Sequence, residues 1–348
     1  MKQTKESARL DGLELLRGLA ALLVAAFHLE QAGSSETGYT GLFSLFSHGE
    51  AGVDLFFAIS GFIILYTAAA RPGQGIRAFL AARFWRIFPP YWVALMLFLA
   101  LNAGAIIVFG QGELPSLRTM IVSVFLLPYP DFALNVAWTL SVEMVFYLVF
   151  AVSFLAGGWR TYFIAMTLWT MLAVLLVCQN IFDPRPLSFL LNTLVLEFLM
   201  GSIAAWLVLK KGGPFRILAL VAGTLFFIAW LAEWTHHLPR ALGAGIPSAL
   251  VVYGITGLTR RMPSWVRLMG ETSFLLYLLH IPVFLASGKA LERVFGVMTY
   301  GSTFGMLLLL FVATAVSCAA TRWIERPYRL WYRNFLHRPA PFLRSSKP

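Results

Sequence analysis

Long apolar runs constrain this chain more than any other feature. A helix needs roughly 20 consecutive apolar residues to cross the hydrocarbon core of a bilayer, and stretches near that length recur along all 348 residues. Read in order, they place spans at 13–30, 52–70, 92–109, 134–156, 161–178, 187–209, 215–232, 240–258, 271–288 and 301–321. The expected fold class is all-α, a polytopic integral membrane protein of about ten transmembrane helices. With 59% hydrophobic and only 12% charged residues, the composition lies outside the range of soluble globular domains.

A net charge of +11 invites a nucleic-acid reading, but the positions of the charges argue against it. On the ten-span reading, 21 Lys and Arg fall in segments on the side of the two termini. Only Arg118, Arg185, Arg240, Lys289 and Arg293 fall on the other, and Arg17 is left inside the first helix. That excess places both termini in the cytoplasm. One membrane domain is expected over 1–325, followed by a basic tail over 326–348. Arg17 interrupts the first apolar run and no cleavage site follows, so the first helix is expected to be retained. Cys178 and Cys318 both sit in apolar segments, where cysteine behaves as a small hydrophobe.

Polar groups inside the spans mark the candidate chemistry, because an ionisable side chain in a membrane helix usually faces the bundle interior. RGLAALLVAAFH puts Arg17 and His28 on nearly one helix face, about 16 Å apart along the axis. Helix two opens GVDLFFAISGF, with Asp54 near the depth of His28; the carboxylate either orients that imidazole or is a helix-start aspartate favoured by the dipole. Gly61 is expected to allow close helix packing. The stretch IRAFLAARFWRIFPPYW interleaves Arg77, Arg83 and Arg86 with apolar residues, which predicts an interfacial helix that Pro89 and Pro90 stop. Its arginines suit a phosphorylated ligand or anionic headgroups equally in kind. Thr139, Glu143 and Tyr147 form an i, i+4, i+8 stripe, and Ser273, Tyr277 and His280 form another on helix nine. Glu143 is either a functional group or a structural partner, while Glu197 is expected to be structurally paired and Glu325 to be a salt-bridged anchor. The histidines at 236 and 237 lack metal-ligand spacing, and no metal is predicted. No Walker loop, GxGxxG, HExxH or GxSxG motif occurs.

Five of these stretches in order, LDGLELLRGLAALLVAAFH, GVDLFFAISGF, RFWRIFPPYW, WTLSVEMVFY and SFLLYLLHIP, resemble acyltransferase family 3, the integral-membrane O-acyltransferases of bacterial surface sugars. NVAWTLSVEMVFY, LEFLMGSIAAW and PSALVVYG resemble its exopolysaccharide-production acetyltransferase branch in particular. The resemblance implies a protein of the bacterial inner membrane. Its acyl donor would be acetyl-CoA or another acyl-CoA from the cytoplasm, and its acceptor a sugar hydroxyl on an exported or lipid-linked polysaccharide. Glycan-assembly proteins would be its neighbours. It assigns catalytic weight to His28, Asp54, Glu143, Tyr277 and His280, donor binding to Arg17, Arg83, Arg86 and Tyr91, and acceptor binding to Ser60, Trp138 and Ser273. His28, oriented by Asp54 or Glu143, would act as general base or carry the acyl group transiently, with His280 or Tyr277 at the oxyanion. A proton-coupled transporter, suited by the buried carboxylates, and a non-catalytic component of a glycan-export complex are the competing classes.

Overall fold

The structure is a computed structural model and describes residues 2–70, 73, 75–110, 113–178, 187–210, 215–258, 262–295 and 299–336. Arg71, Arg185, Lys211, Arg260, Arg261 and the tail from 337 to 348, all used in orienting the chain, lie outside the described residues. Among the described residues every regular element is helical. In chain order these are α1 (Lys2–Thr37), α2 (Gly52–Ala69), α3 (Ile76–Phe109), α4 (Leu117–Phe125), α5 (Trp138–Phe150), α6 (Ala156–Cys178), α7 (Leu187–Leu190), α8 (Val195–Leu209), α9 (Arg216–Leu231), α10 (Ile246–Ile255), α11 (Ser264–Phe295), α12 (Thr303–Ala320) and α13 (Arg326–Leu336). Short 3-10 and π turns link several of them.

Six helical stretches among the described residues are long and apolar enough to cross a membrane: Asp11–Thr37, Leu42–Ala69, Ile76–Val108, Asn135–Leu176, Ser264–Arg293 and Thr303–Tyr332. The expected spans at 134–156 and 161–178 fall together inside one of them. Gly158 breaks the helical path there, with φ 74° and ψ −163°, a region that only glycine adopts readily. Three more of the expected spans are the shorter apolar helices Val195–Leu209, Arg216–Leu231 and Ala241–Ile255. At about 1.5 Å per residue these rise some 24 Å or less, short of the roughly 30 Å hydrocarbon core.

The interfacial helix expected to stop at Pro89 and Pro90 does not stop. α3 runs unbroken through both prolines. Neither proline can donate to the carbonyl four residues earlier, and the carbonyl that Pro89 frees, Trp85 O, accepts instead from Tyr328 Oη at 2.7 Å. Beyond α3, Leu117–Phe125 forms the nine-residue α4, capped by the Ser116 hydroxyl accepting from Thr119 N.

Small residues set the packing at the centre. Gly49 lies over the Leu23 carbonyl and Gly52 over the Ala20 carbonyl, so α2 descends beside α1 in the opposite direction. Gly61 abuts the backbone of Phe198, and Gly201 that of Ala58, which seats α2 directly on α8. α11 runs parallel to α1, with Gly270 against Glu14 near one end and His280 against His28 farther along. In lipid the helices gain little from leaving water, so contacts of this closeness carry the association.

Candidate active site

Helices α1, α2, α3, α5 and α11 surround a cavity of about 760 Å³, its mouth included. Six of the residues singled out above line it: Arg17, Ser60, Arg83, Arg86, Glu143 and Tyr277. Thr139 and Tyr147, the remaining members of the α5 stripe, line it too, so the helical spacing read in the sequence does present one polar face to the interior. The Glu143 carboxylate accepts from Ser60 Oγ at 2.9 Å and from Tyr147 Oη at 2.5 Å. Arg17 Nη1 lies 3.3 Å from Glu14, one turn earlier on α1. The Arg83 guanidinium lies 5.1 Å from the centre of the Phe79 ring and 5.2 Å from that of Tyr147, and its Nε is buried without a hydrogen-bond partner. A buried guanidinium N–H left unpaired is costly, and three arginines facing one enclosed volume make a site for an anion with several oxygens.

Beyond the Tyr277 wall of this cavity stand the two histidines. The Tyr277 ring lies 6.0 Å from that of His280, and its hydroxyl is held by Thr139 Oγ1 at 2.7 Å and Val136 O at 2.8 Å. His28 and His280 meet with Nδ1 of the first 3.3 Å from Nε2 of the second. Their tautomers follow from the partners. His28 Nδ1 lies 2.8 Å from Val24 O and His280 Nδ1 lies 3.0 Å from Leu276 O, and a carbonyl can only accept. In the neutral pair both Nδ1 atoms therefore carry the proton. The one proton on His28 Nδ1 is then shared, with Val24 O as the nearer acceptor and His280 Nε2 as the longer one, which leaves the lone pair of His28 Nε2 outside the pair. His280 is fully buried and His28 partly so.

Several expectations are corrected. Asp54 does not orient His28: its carboxylate, fully buried, is clamped by Arg240 through Nη2 at 2.7 Å and Nε at 3.1 Å, and Arg240 also reaches Glu50 O. Glu143 does not orient it either: among the described residues its hydrogen bonds, both to Oε1, come from the hydroxyls of Ser60 and Tyr147, and none comes from His28. Tyr91 lies away from the cavity lining, fully buried, with its hydroxyl donated to Ser123 O at 2.8 Å. Ser273 back-bonds to Gly270 O on its own helix at 2.6 Å and is fully buried. Trp138 packs edge-on to Phe57 with ring centres 6.4 Å apart, also outside the cavity lining. Glu197 was expected to be paired, yet neither of its buried oxygens has a hydrogen-bond partner among the described residues. Arg240 is the residue the sequence reading passed over. Its signal was there: a cation placed on the same side of the membrane as the boundary carboxylate Asp54. Among the described residues no cluster of three or more His, Cys, Asp or Glu is arranged to hold a metal ion.

Comparison with known proteins adds an independent line. The acyltransferase-domain family, acyltransferase family 3, matches residues 10–322. The chain is 30% identical over 307 residues to the exopolysaccharide production protein ExoZ of Rhizobium meliloti (strain 1021), covering 81% of this chain and 90% of that one. It is 29% identical over 157 residues to the acyltransferase MdmB of Streptomyces mycarofaciens, 41% of this chain and 38% of that one. Protein 2 in the picA locus of Rhizobium radiobacter is 38% identical over 98 residues, 26% of this chain and 43% of its own length. No solved structure matches.

Proposed function

Since the chain belongs to acyltransferase family 3 and is a multi-pass membrane O-acyltransferase, we propose that it moves an acetyl or other short acyl group from cytoplasmic acyl-CoA to a sugar hydroxyl of an exported or lipid-linked bacterial polysaccharide. The observation that carries the reading is the adjacency of a three-arginine cavity to a histidine pair whose outer nitrogen is free to take a proton. The enzyme assignment sets aside the transport and scaffold alternatives. The printed name of the Rhizobium meliloti relative supports a polysaccharide acceptor.

In this reading Arg83 and Arg86 hold the phosphates of coenzyme A, and the pantetheine arm runs along the cavity past Arg17 toward Tyr277. Ser60 borders the path of the acyl group. His28 Nε2 removes the proton of the acceptor hydroxyl as its oxygen attacks the thioester carbon. The C–S bond then breaks, an ester is formed, and the departing thiolate takes up the proton that His28 Nε2 received, which restores the neutral imidazole. His28 Nδ1–H, held by Val24 O and His280 Nε2, keeps the ring in the tautomer that exposes Nε2. His280 is thus a positioning residue rather than an oxyanion donor.

Ten spans, with both termini in the cytoplasm of a bacterium and the protein in its inner membrane, fit the arrangement. The long stretch Asn135–Leu176 supplies two of them on either side of Gly158, and the three short helices supply three more. The membrane domain over 1–325 then holds all the chemistry.

The test is mass spectrometry of surface and extracellular polysaccharide from a deletion strain carrying wild type or His28→Ala at equal membrane abundance. Wild type is expected to restore ester-linked acyl mass and His28→Ala to leave it absent. Restoration by both proteins sinks the role given to His28.

A further inference from the structure

The outer wall formed by α6 and α8 carries a second feature that the acyl-transfer reading does not use. A groove of about 1490 Å³, its open side included, is lined by Trp159, Arg160 and Phe163 on α6, by Ile203, Trp206 and Lys210 along α8, and by two further aliphatic residues. Gly158 sets one side of it. Its left-handed backbone ends the preceding turn and restarts the helix, so Trp159 and Arg160 stand in the first turn of the new segment. The other side is the end of α8, where Lys210 follows the last helical residue and its ammonium lies 4.7 Å from the centre of the Trp206 ring. Both cations are exposed and neither forms an ion pair among the described residues.

The groove is therefore amphiphilic along its length: two free cations and two indole rings at one end, aliphatic and phenyl surface at the other. Tryptophan and basic side chains in this arrangement belong at the headgroup level of a bilayer. A neighbouring groove of about 970 Å³ between α8, α9 and α10 supplies the contrast, because no charged side chain lines it. Apolar packing alone would favour any acyl chain in either groove. Only the first can select for a negatively charged headgroup. None of its lining residues borders the arginine cavity, so its occupant stays remote from the reacting atoms.

We propose that this groove is a binding site for one anionic glycerophospholipid, its phosphate held between Arg160 and Lys210 and the upper part of its acyl chains laid on Phe163 and Ile203. The proposal does not rest on the acyl-transfer assignment. The apolar half speaks for a lipid over a free anion, and the distance from the cavity speaks for a structural phospholipid over a lipid-linked acceptor.

The full chain, purified in detergent, is titrated with phosphatidylglycerol or phosphatidylcholine of identical acyl chains, and bound lipid is read by native mass spectrometry alongside thermal unfolding. Wild type is expected to prefer phosphatidylglycerol and to be stabilised by it. Arg160→Gln with Lys210→Gln is expected to weaken phosphatidylglycerol binding about thirtyfold, from about 1 kcal/mol per basic side chain near an anionic surface, while weakening binding of the zwitterionic phosphatidylcholine far less, so that the preference is lost. Arg160→Lys with Lys210→Arg should keep the preference. Should the double glutamine variant fail to fold, Lys210→Gln alone, an exposed change beyond the end of α8, reads the same effect at about fivefold. Equal binding of the two lipids to wild type overturns the proposal, as does an undiminished phosphatidylglycerol preference in the glutamine variants. Full displacement of the lipid by inorganic phosphate, or tighter binding of a polyprenyl phosphate, overturns it in favour of a free-anion or carrier-lipid site.

Discussion

Within the histidine pair, the two rings are chemically alike and differ only in what surrounds them. Each donates Nδ1–H to the carbonyl four residues earlier on its own helix, so each helix fixes the orientation of its own ring. Only His28 keeps an unshared Nε2, and that asymmetry divides the labour. Replacing His28 with alanine is expected to lower kcat by about 10²- to 10⁴-fold, the usual contribution of a general base. His280→Phe removes the acceptor that His28 Nδ1–H leans on. It should cost about tenfold to a hundredfold in kcat, the worth of a hydrogen bond to a group that becomes charged, with KM for acyl-CoA little changed. His280→Gln restores an acceptor and should recover part of that loss; steady-state kinetics on purified enzyme separates the two variants, and equal loss in both would reduce His280 to packing. On the proposed donor site, Arg83→Gln is expected to do the converse, raising KM for acyl-CoA about tenfold or more with a smaller change in kcat, because the phosphate contact it would remove is made in ground and transition state alike.

At the level of helices, Asp54 and Arg240 tie the first turn of α2 to the turn that opens the α10 segment. Arg240→Gln strands a fully buried carboxylate, and the expected loss is about 3 kcal/mol, at the low end for a broken buried pair because Arg240 is 36% exposed. Detergent-solubilised protein should therefore unfold at clearly lower temperature, while Arg240→Met with Asp54→Leu should recover most of the loss. Gly61→Val probes the other fastening of α2. A side chain there meets the Phe198 backbone, which cannot move aside without shifting α8, and overpacking of this kind costs about 1–3 kcal/mol. What the sequence made legible at this scale was whatever one helix decides by itself: the apolar runs, the shared face of Thr139, Glu143 and Tyr147, the common face of Arg17 and His28. Pairings between helices were not legible. Asp54 had His28 at its own depth and Arg240 across the bundle, and only the way α2, α8 and α10 crowd together through glycine contacts decides which it meets. Pro89 and Pro90 misled for the same reason, since local propensity says stop, and the carbonyl that Pro89 frees finds its donor in Tyr328, 243 residues later in the chain.

For the whole molecule, the arginine cavity and the histidine pair follow one another along the parallel helices α1 and α11, as a donor entering from one side of a membrane and an acceptor from the other would require. Fusion of a fluorescent reporter or of alkaline phosphatase to the C-terminus checks the orientation proposed above: fluorescence without phosphatase activity is expected, and the reverse result would invert it. The pairing of His28 with His280 spans 252 residues of chain. During synthesis the first imidazole enters the bilayer long before its partner exists, with Val24 O on its own helix as the acceptor for its Nδ1 proton and the second acceptor still to come. A ribosome that has built two thirds of the protein has therefore made a bundle that holds the cavity arginines but lacks the His280 half of the imidazole pair. On the roles proposed above, acyl transfer becomes possible only with the insertion of α11, and a chain truncated before Ser264 is expected to leave acyl-CoA unconsumed.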